Sequence, residues 1–170
     1  MSNSKVLVGL QDKQRFWIKL EGDVRVPWCV SLETYCEAVI QQPGITGVCV
    51  DLTAAENLDS TTLGVLAKVA IYTRNHCVGS SADSRSCKAM LLCHDENILR
   101  LVRSMGFESV FDIRDHFAAE MLDFDELPLL ACTEADMKDA VINAHKTLME
   151  MTEDNRASFG SLVNALENDS

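Results

Sequence analysis

The chain has 170 residues, 47% of them hydrophobic and 24% charged, and its 15 basic and 26 acidic side chains leave a net charge of −11. That is the composition of a globular protein with a real core, and it argues against disorder. It argues equally against direct binding of nucleic acid, which rests on neutralising phosphates with Lys and Arg, and no run approaches the roughly 20 apolar residues of a membrane span.

Met1 to Lys5 carries no apolar signal-peptide core, so the chain is expected in the cytoplasm. Val6 to Leu10 is a short apolar run of strand character. Phe16, Ile18 and Leu20 alternate within a second strand over 14–20, and Gln11-Asp12-Lys13 between the two reads as a hairpin turn. Gly22-Asp23 follows, and Pro27 limits continuation of the strand. Ser31 is the expected cap of a helix whose stripe is Leu32, Tyr35, Cys36, Val39 and Ile40, ended by Pro43-Gly44. Gly47 to Leu52 is nearly continuous in apolar residues and suits a central strand covered on both faces.

Asp59 or Ser60 is the natural cap of the next helix, which carries Leu63, Leu66, Ala67, Ala70 and Ile71 at helical spacing. Val65, Val69 and Tyr72 form a second apolar line on it. Either the helix is broadly buried or this line is an exposed patch for a partner helix. The small polar stretch 78–86 reads as a loop and Lys88 to Cys93 as a buried strand. Asp95 is placed to cap a third helix with core face Ile98, Leu101, Val102 and Met105. Gly106 is placed to end it in the left-handed conformation. Ser109 to Ile113 suits a last short strand. The order β-β-α-β-α-β-α-β predicts an α/β layer sandwich with a mixed sheet and helices packed on it.

The body is expected to span 1–118, followed by a linker at 119–132 and a helical extension at 133–168. Charge divides along the same line. Residues 1–119 hold 14 acids and 12 bases, net −2, whereas residues 120–170 hold 12 acids and 3 bases, net −9. Thr133 and Asp136 resemble a capping box. Met137, Val141, Ala144, Leu148 and Met151 follow at helical spacing, as do Phe159, Leu162, Val163 and Leu166 beyond a break at 152–155. Isolated helices of this length are marginal in water, so these stripes need a surface: the chain's own body, or a second copy in a homodimer.

Seven cysteines, at 29, 36, 49, 77, 87, 93 and 132, form no Cys-x-x-Cys pair, and several lie in apolar runs. They read as reduced, buried small hydrophobes. The four histidines (76, 94, 116 and 145) supply no metal-ligand spacing, so no metal or cofactor is expected. Nor is a nucleophile–base pair readable along the chain, which places an enzyme last among the readings.

The remaining chemistry lies in Asp59-Ser60-Thr61-Thr62-Leu63-Gly64, hydroxyls at a helix start behind an apolar strand. Such a hydroxyl either caps the helix or, where unpaired N–H groups and the dipole meet it, accepts a phosphate. The stretch 48–70, Val-Cys-Val-Asp-Leu-Thr through Leu-Asp-Ser-Thr-Thr-Leu-Gly-Val-Leu-Ala, resembles the signature of the STAS domain, the fold of bacterial anti-sigma-factor antagonists. Ala89-Met-Leu-Leu-Cys, Ile98-Leu99, Met105-Gly106-Phe107 and Val110-Phe111 are similar to that family's later strand, helix, glycine and closing strand. The resemblance covers roughly residues 5–115.

The resemblance implies a phospho-switch rather than an enzyme. In the family the unmodified antagonist binds an anti-sigma factor that is a GHKL-type serine kinase, and a sigma factor is released. Phosphorylation of the serine after the motif Asp disrupts that binding, and a PP2C-type phosphatase reverses it. On this match Ser60 is the phosphoacceptor, and Asp59, Thr61 and Thr62 are its neighbours at the partner surface. Thr62 stands where the family commonly has Gly. Gly22-Asp23-Val24-Arg25 matches a Gly-Glu-Leu-Asp loop beside the phosphosite, with Arg25 in place of the usual acid. Asp23 and Arg25 therefore join Val65, Val69 and Tyr72 as expected partner-binding residues. Arg25 is either a partner for phosphate or acid, or a solvated surface arginine. The alternative reading is the STAS subunit of an ABC-type lipid transport complex, which binds its ATPase without being phosphorylated.

Overall fold

The computed structural model describes residues 3–76, 88–117 and 122–169. The loop expected at 78–86, Cys77 and Cys87, and the expected end of the body at 118 lie outside these residues. Strand β1 (Lys5–Gln11) and β2 (Arg15–Val24) form an antiparallel hairpin. Asp12 and Lys13 both take positive φ in its turn, as the twist of a tight hairpin requires. Three crossovers follow: α1 (Val26–Ile40) to β3 (Gly47–Leu58), α2 (Ser60–His76) to β4 (Ala89–Leu92), and α3 (Glu96–Ser104) with a 3-10 turn (Phe107–Ser109) to β5 (Phe111–Arg114). Strand β6 (Asp125–Glu126) and helices α4 (Glu134–Met151) and α5 (Glu153–Asn168) complete the described elements.

Among the described residues one mixed sheet runs β5-β4-β3-β2-β1-β6, parallel from β2 to β5 and antiparallel at β1 and β6. Each parallel crossover adds its strand on the same side of the last. Right-handed crossovers that always advance in one direction put their helices on one face. Phe16, Ile18 and Leu20 of β2, Val48, Val50 and Leu52 of β3, and Leu91 of β4 all point into that helix layer. The opposite pleat carries Trp17, Cys49 and Leu92, covered by Phe117, Leu122 and Phe124. The apolar run of β3 is thus buried on both sides, which is why it does not alternate.

Three local expectations are corrected. Helix α1 begins at Val26, not after Ser31. Pro27 sits in its first turn, where a missing N–H costs nothing. Ser31 is buried within the helix, and its hydroxyl accepts from the Leu130 amide at 2.8 Å. Strand β2 continues through Gly22-Asp23 to Val24, with register shifts against β3 there. The segment read as a linker contains β6, paired with β1 through Leu7–Glu126 and Val8–Asp125, and Leu127 is buried behind it. Two strand residues, both acidic, give no periodic signal.

The acidic extension packs on the body. Thr133 and Asp136 close the expected capping box, and Thr152 alone separates α4 from α5. Helix α4 lies against α1 and α2, and its Ala140, Ala144 and Leu148 belong to the same core as the sheet. Asn155, at the start of α5, donates to the carbonyls of Leu148 (2.8 Å) and Met105 (2.9 Å), which pins the hairpin turn to the end of α3. There Gly106 takes φ +81°, and a Cβ on it would meet Thr152 Cγ2 at 2.6 Å. The α5 stripe is only partly used: Val163 is buried, whereas Leu162 is 42% exposed.

Candidate functional site at the start of helix α2

The site is organised by Asp59, which links β3 to α2. Its Oδ1 accepts from the Thr62 amide at 2.8 Å, the usual capping bond to a first-turn N–H. Its Oδ2 accepts from the Val26 amide at 2.8 Å. One carboxylate therefore caps two helices from different crossovers, and α1 needs it because Arg25, at the α1 N-cap, makes no side-chain cap of its own. The Thr62 hydroxyl donates to Asp59 Oδ1 at 2.7 Å, with the Val24 carbonyl at 3.1 Å. The Cys29 thiol lies 3.3 Å from the same hydroxyl and 3.7 Å from the Arg25 carbonyl. Burial pushes the Cys29 thiol up to about 12, against a smaller opposing effect of the Thr62 bond. It is a structural thiol and no nucleophile.

Three hydroxyls stand in sequence at this helix start, and the fold treats them differently. Thr61 and Thr62 are 3% and 0% exposed, so the expectation that they face a partner is corrected: the first turn of α2 is wedged behind β2 and α1. Ser60 remains partly exposed. Its Oγ lies 2.8 Å from His145 Nε2 on α4, a contact across 85 positions of sequence. The other ring nitrogen, Nδ1, is 2.7 Å from the Val141 carbonyl, which can only accept. Nδ1 therefore carries a proton, and in the neutral ring Nε2 accepts from the Ser60 hydroxyl. His145 is itself 2% exposed and meets Phe159 of α5 edge-on at 4.8 Å.

One turn further along α2, Gly64 lets the two helices touch. A Cβ there would stand 2.4 Å from the Ala144 carbonyl oxygen and 2.6 Å from Ala144 Cβ. The residue after Ala144 is thereby brought over Ser60. Sequence reading missed His145. A signal existed, since Val141, Ala144, His145 and Leu148 fall at i, i+3, i+4 and i+7.

Arg25 and Asp23 lie at the rim, beside the capped start of α1. Arg25 Nε donates to Asp23 Oδ1 at 2.6 Å, with the arginine 59% exposed. The Asp23 hydrogen bond and charge, with a smaller contribution from Asp59, hold the guanidinium pKa above its ordinary value. Val65 and Val69 are buried, which favours the broadly buried helix over the exposed patch and corrects their expected place at a partner surface: α1 and α4 flank the helix and cover it. What remains open is a cleft of about 250 Å³ between α1 and α2, lined by Cys36, Ile40, Val65, Val69 and Tyr72. Lys68 crosses its rim to Glu33 (2.7 Å) and Glu37 (3.3 Å). A separate cleft of about 550 Å³ at the β5 edge, lined by Lys88, Arg103 and Arg114 among others, shares no residue with this site.

Among the described residues Cys29, Cys36, Cys49, Cys93 and Cys132 are free, and all but Cys132 are buried. The same residues hold no cluster of three His, Cys, Asp or Glu side chains fit for a metal ion, and no helix of theirs is long and apolar enough to cross a membrane. Compared with known proteins, the sequence matches no protein-family model and no curated protein.

Proposed function

We propose that the protein is a phospho-switch of the anti-sigma-factor-antagonist type, a STAS-like binding module with Ser60 as its phosphoacceptor. The observation that carries this reading is the sorting of the three hydroxyls. At the capped start of α2, Ser60 alone keeps access to solvent while Thr61 and Thr62 are buried. A phosphate on Ser60 would meet the first-turn N–H groups and the positive end of the α2 dipole, and the exposed Arg25 stands at the neighbouring helix start. It would also place about −1.5 to −2 charges on the face offered to a partner, enough to disrupt an interface.

The partners on this reading are a GHKL-type serine kinase that is also an anti-sigma factor, and a PP2C-type phosphatase, acting in the bacterial cytoplasm. In the kinase the Oγ–P bond forms as the bond from the γ-phosphorus of ATP to the ADP leaving group breaks. The Ser60 proton passes to a base of the kinase. Asp23 and Arg25 form the exposed rim of the contact, and Tyr72 lies at the cleft between α1 and α2.

The test is incubation of the full chain with ATP, Mg²⁺ and a GHKL-type kinase encoded beside it, followed by mass spectrometry. One phosphate on Ser60, lost in Ser60→Ala, is the expected result. No binding to the kinase, with binding to an ABC-type ATPase and no phosphate transfer, would favour the transport-subunit reading instead. Phosphate on Thr61 or Thr62 in Ser60→Ala would overturn the assignment.

A further inference from the structure

We propose that the α4–α5 hairpin is an intramolecular cover over Ser60, and that hairpin docking and a phosphate on Ser60 exclude one another. This deepens the reading of Ser60 as phosphoacceptor and rests on it only for the identity of the charge that arrives there.

Three contacts dock the hairpin. Ser60 Oγ meets His145 Nε2 at 2.8 Å. Gly64 admits the Ala144 backbone at a separation no side chain would allow. Asn155 holds the hairpin turn to the Met105 carbonyl. The first two fall within about one turn of the phosphoacceptor, so an active site that must close around the Ser60 hydroxyl meets α4 first. Ser60 stays partly exposed, and the His145 ring, 2% exposed, occupies the side of it that faces α4.

The chemistry of the contact sets the direction of the coupling. With Nδ1 donating to the Val141 carbonyl, Nε2 in the neutral form of the ring is an acceptor for the Ser60 hydroxyl. A phosphate ester at Oγ has no such proton. It replaces one donor with three acceptor oxygens facing a lone pair, in a gap sized for a hydrogen bond. The extension adds unfavourable charge, since residues 120–170 carry net −9. A phosphate therefore expels the hairpin. By linkage the docked hairpin lowers the equilibrium for phosphorylation by the same factor. Undocking would bare the α2 face now under Ala140, Ala144 and Leu148, which belong to the main core. The unmodified chain is thus held with its switch residue covered on one side, and a partner has to compete with α4 for the face.

Hydrogen exchange of the full chain, read by mass spectrometry, tests this without any kinase. Ser60→Asp puts a carboxylate where the phosphate would stand. Gly64→Ala drives a methyl group into Ala144 while improving the helix propensity of α2 itself. Both variants are expected to raise exchange in α4–α5 peptides at least tenfold and to leave β2 and β3 peptides unchanged. Unchanged exchange in α4–α5 would overturn the proposal. Slower exchange in Ser60→Asp would overturn it too, because the hairpin would then be clamping the carboxylate. Loss of protection in hairpin and sheet together, in both variants, would show that the hairpin does not release as a unit and would also overturn it. Because the measurement involves no phosphate transfer, selective opening in a chain that no kinase modifies would sustain the coupling and remove only the phosphoacceptor reading.

Discussion

Replacing Asp59 separates the two helices that it caps. In Asp59→Ala the Thr62 amide loses its capping bond, worth about 1 kcal/mol. The Val26 amide loses a bond to a charged acceptor, worth about 1.5–3 kcal/mol. The Thr62 hydroxyl can turn to the Val24 carbonyl at 3.1 Å, so it adds little. The sum is about 3 kcal/mol, or a fall in Tm of about 6–12 °C for a chain of this size. Asp59→Asn distinguishes the local cap from the long-range one. Asn caps a helix as well as Asp does, but its single oxygen can serve only one of the two amides. Whichever way the group is turned, the other N–H faces an NH2. Asn should therefore cost about 1.5 kcal/mol, roughly half the Ala effect. Urea unfolding followed by circular dichroism measures both, with the midpoint expected to move and the slope to stay constant. An Asn variant as stable as the parent would refute the tertiary cap, and an Ala variant within about 0.5 kcal/mol of the parent would refute both bonds.

Two further outcomes follow from burial. Leu148 is fully buried in the main core although it lies in the extension, so Leu148→Ala should cost about 2–5 kcal/mol in the same assay, whereas a loosely attached extension would lose under 1 kcal/mol. The Cys49 thiol, pushed up to about 12 by burial, stays protonated in the folded chain where an unfolded thiol, near 9.0, ionises. The unfolded state then binds fewer protons, so stability is fully present below pH 9 and falls as pH rises toward 12. Cys49→Ala should flatten that fall by about 1.4 kcal/mol per pH unit, and equal slopes in urea titrations at pH 8 to 11 would contradict the burial.

The sequence by itself determined whatever local chemistry can encode. The unbroken apolar run of β3 marks a strand buried on both faces, and the alternation of Phe16, Ile18 and Leu20 marks the helix-side face of β2, although Trp17 of the same strand is buried on the other face. Asp95 accepts from the Asn97 and Ile98 amides as its position before an apolar stripe implies. Gly106 takes the left-handed turn, and Thr133 with Asp136 closes its box. Each of these bonds joins residues within a few positions, so the pattern that specifies it can be read in a short window. Tertiary structure decided the rest. Helix α1 starts at Val26 because a carboxylate 33 residues away supplies its cap. Strand β6 exists because β1 has a free edge to pair with. Ser60 meets His145 because Gly64 lets α4 approach closer than any residue with a Cβ would permit. A hydroxyl at a helix start carries the same local signal whether it is open or covered, and only the packing of helices distant in sequence settles which.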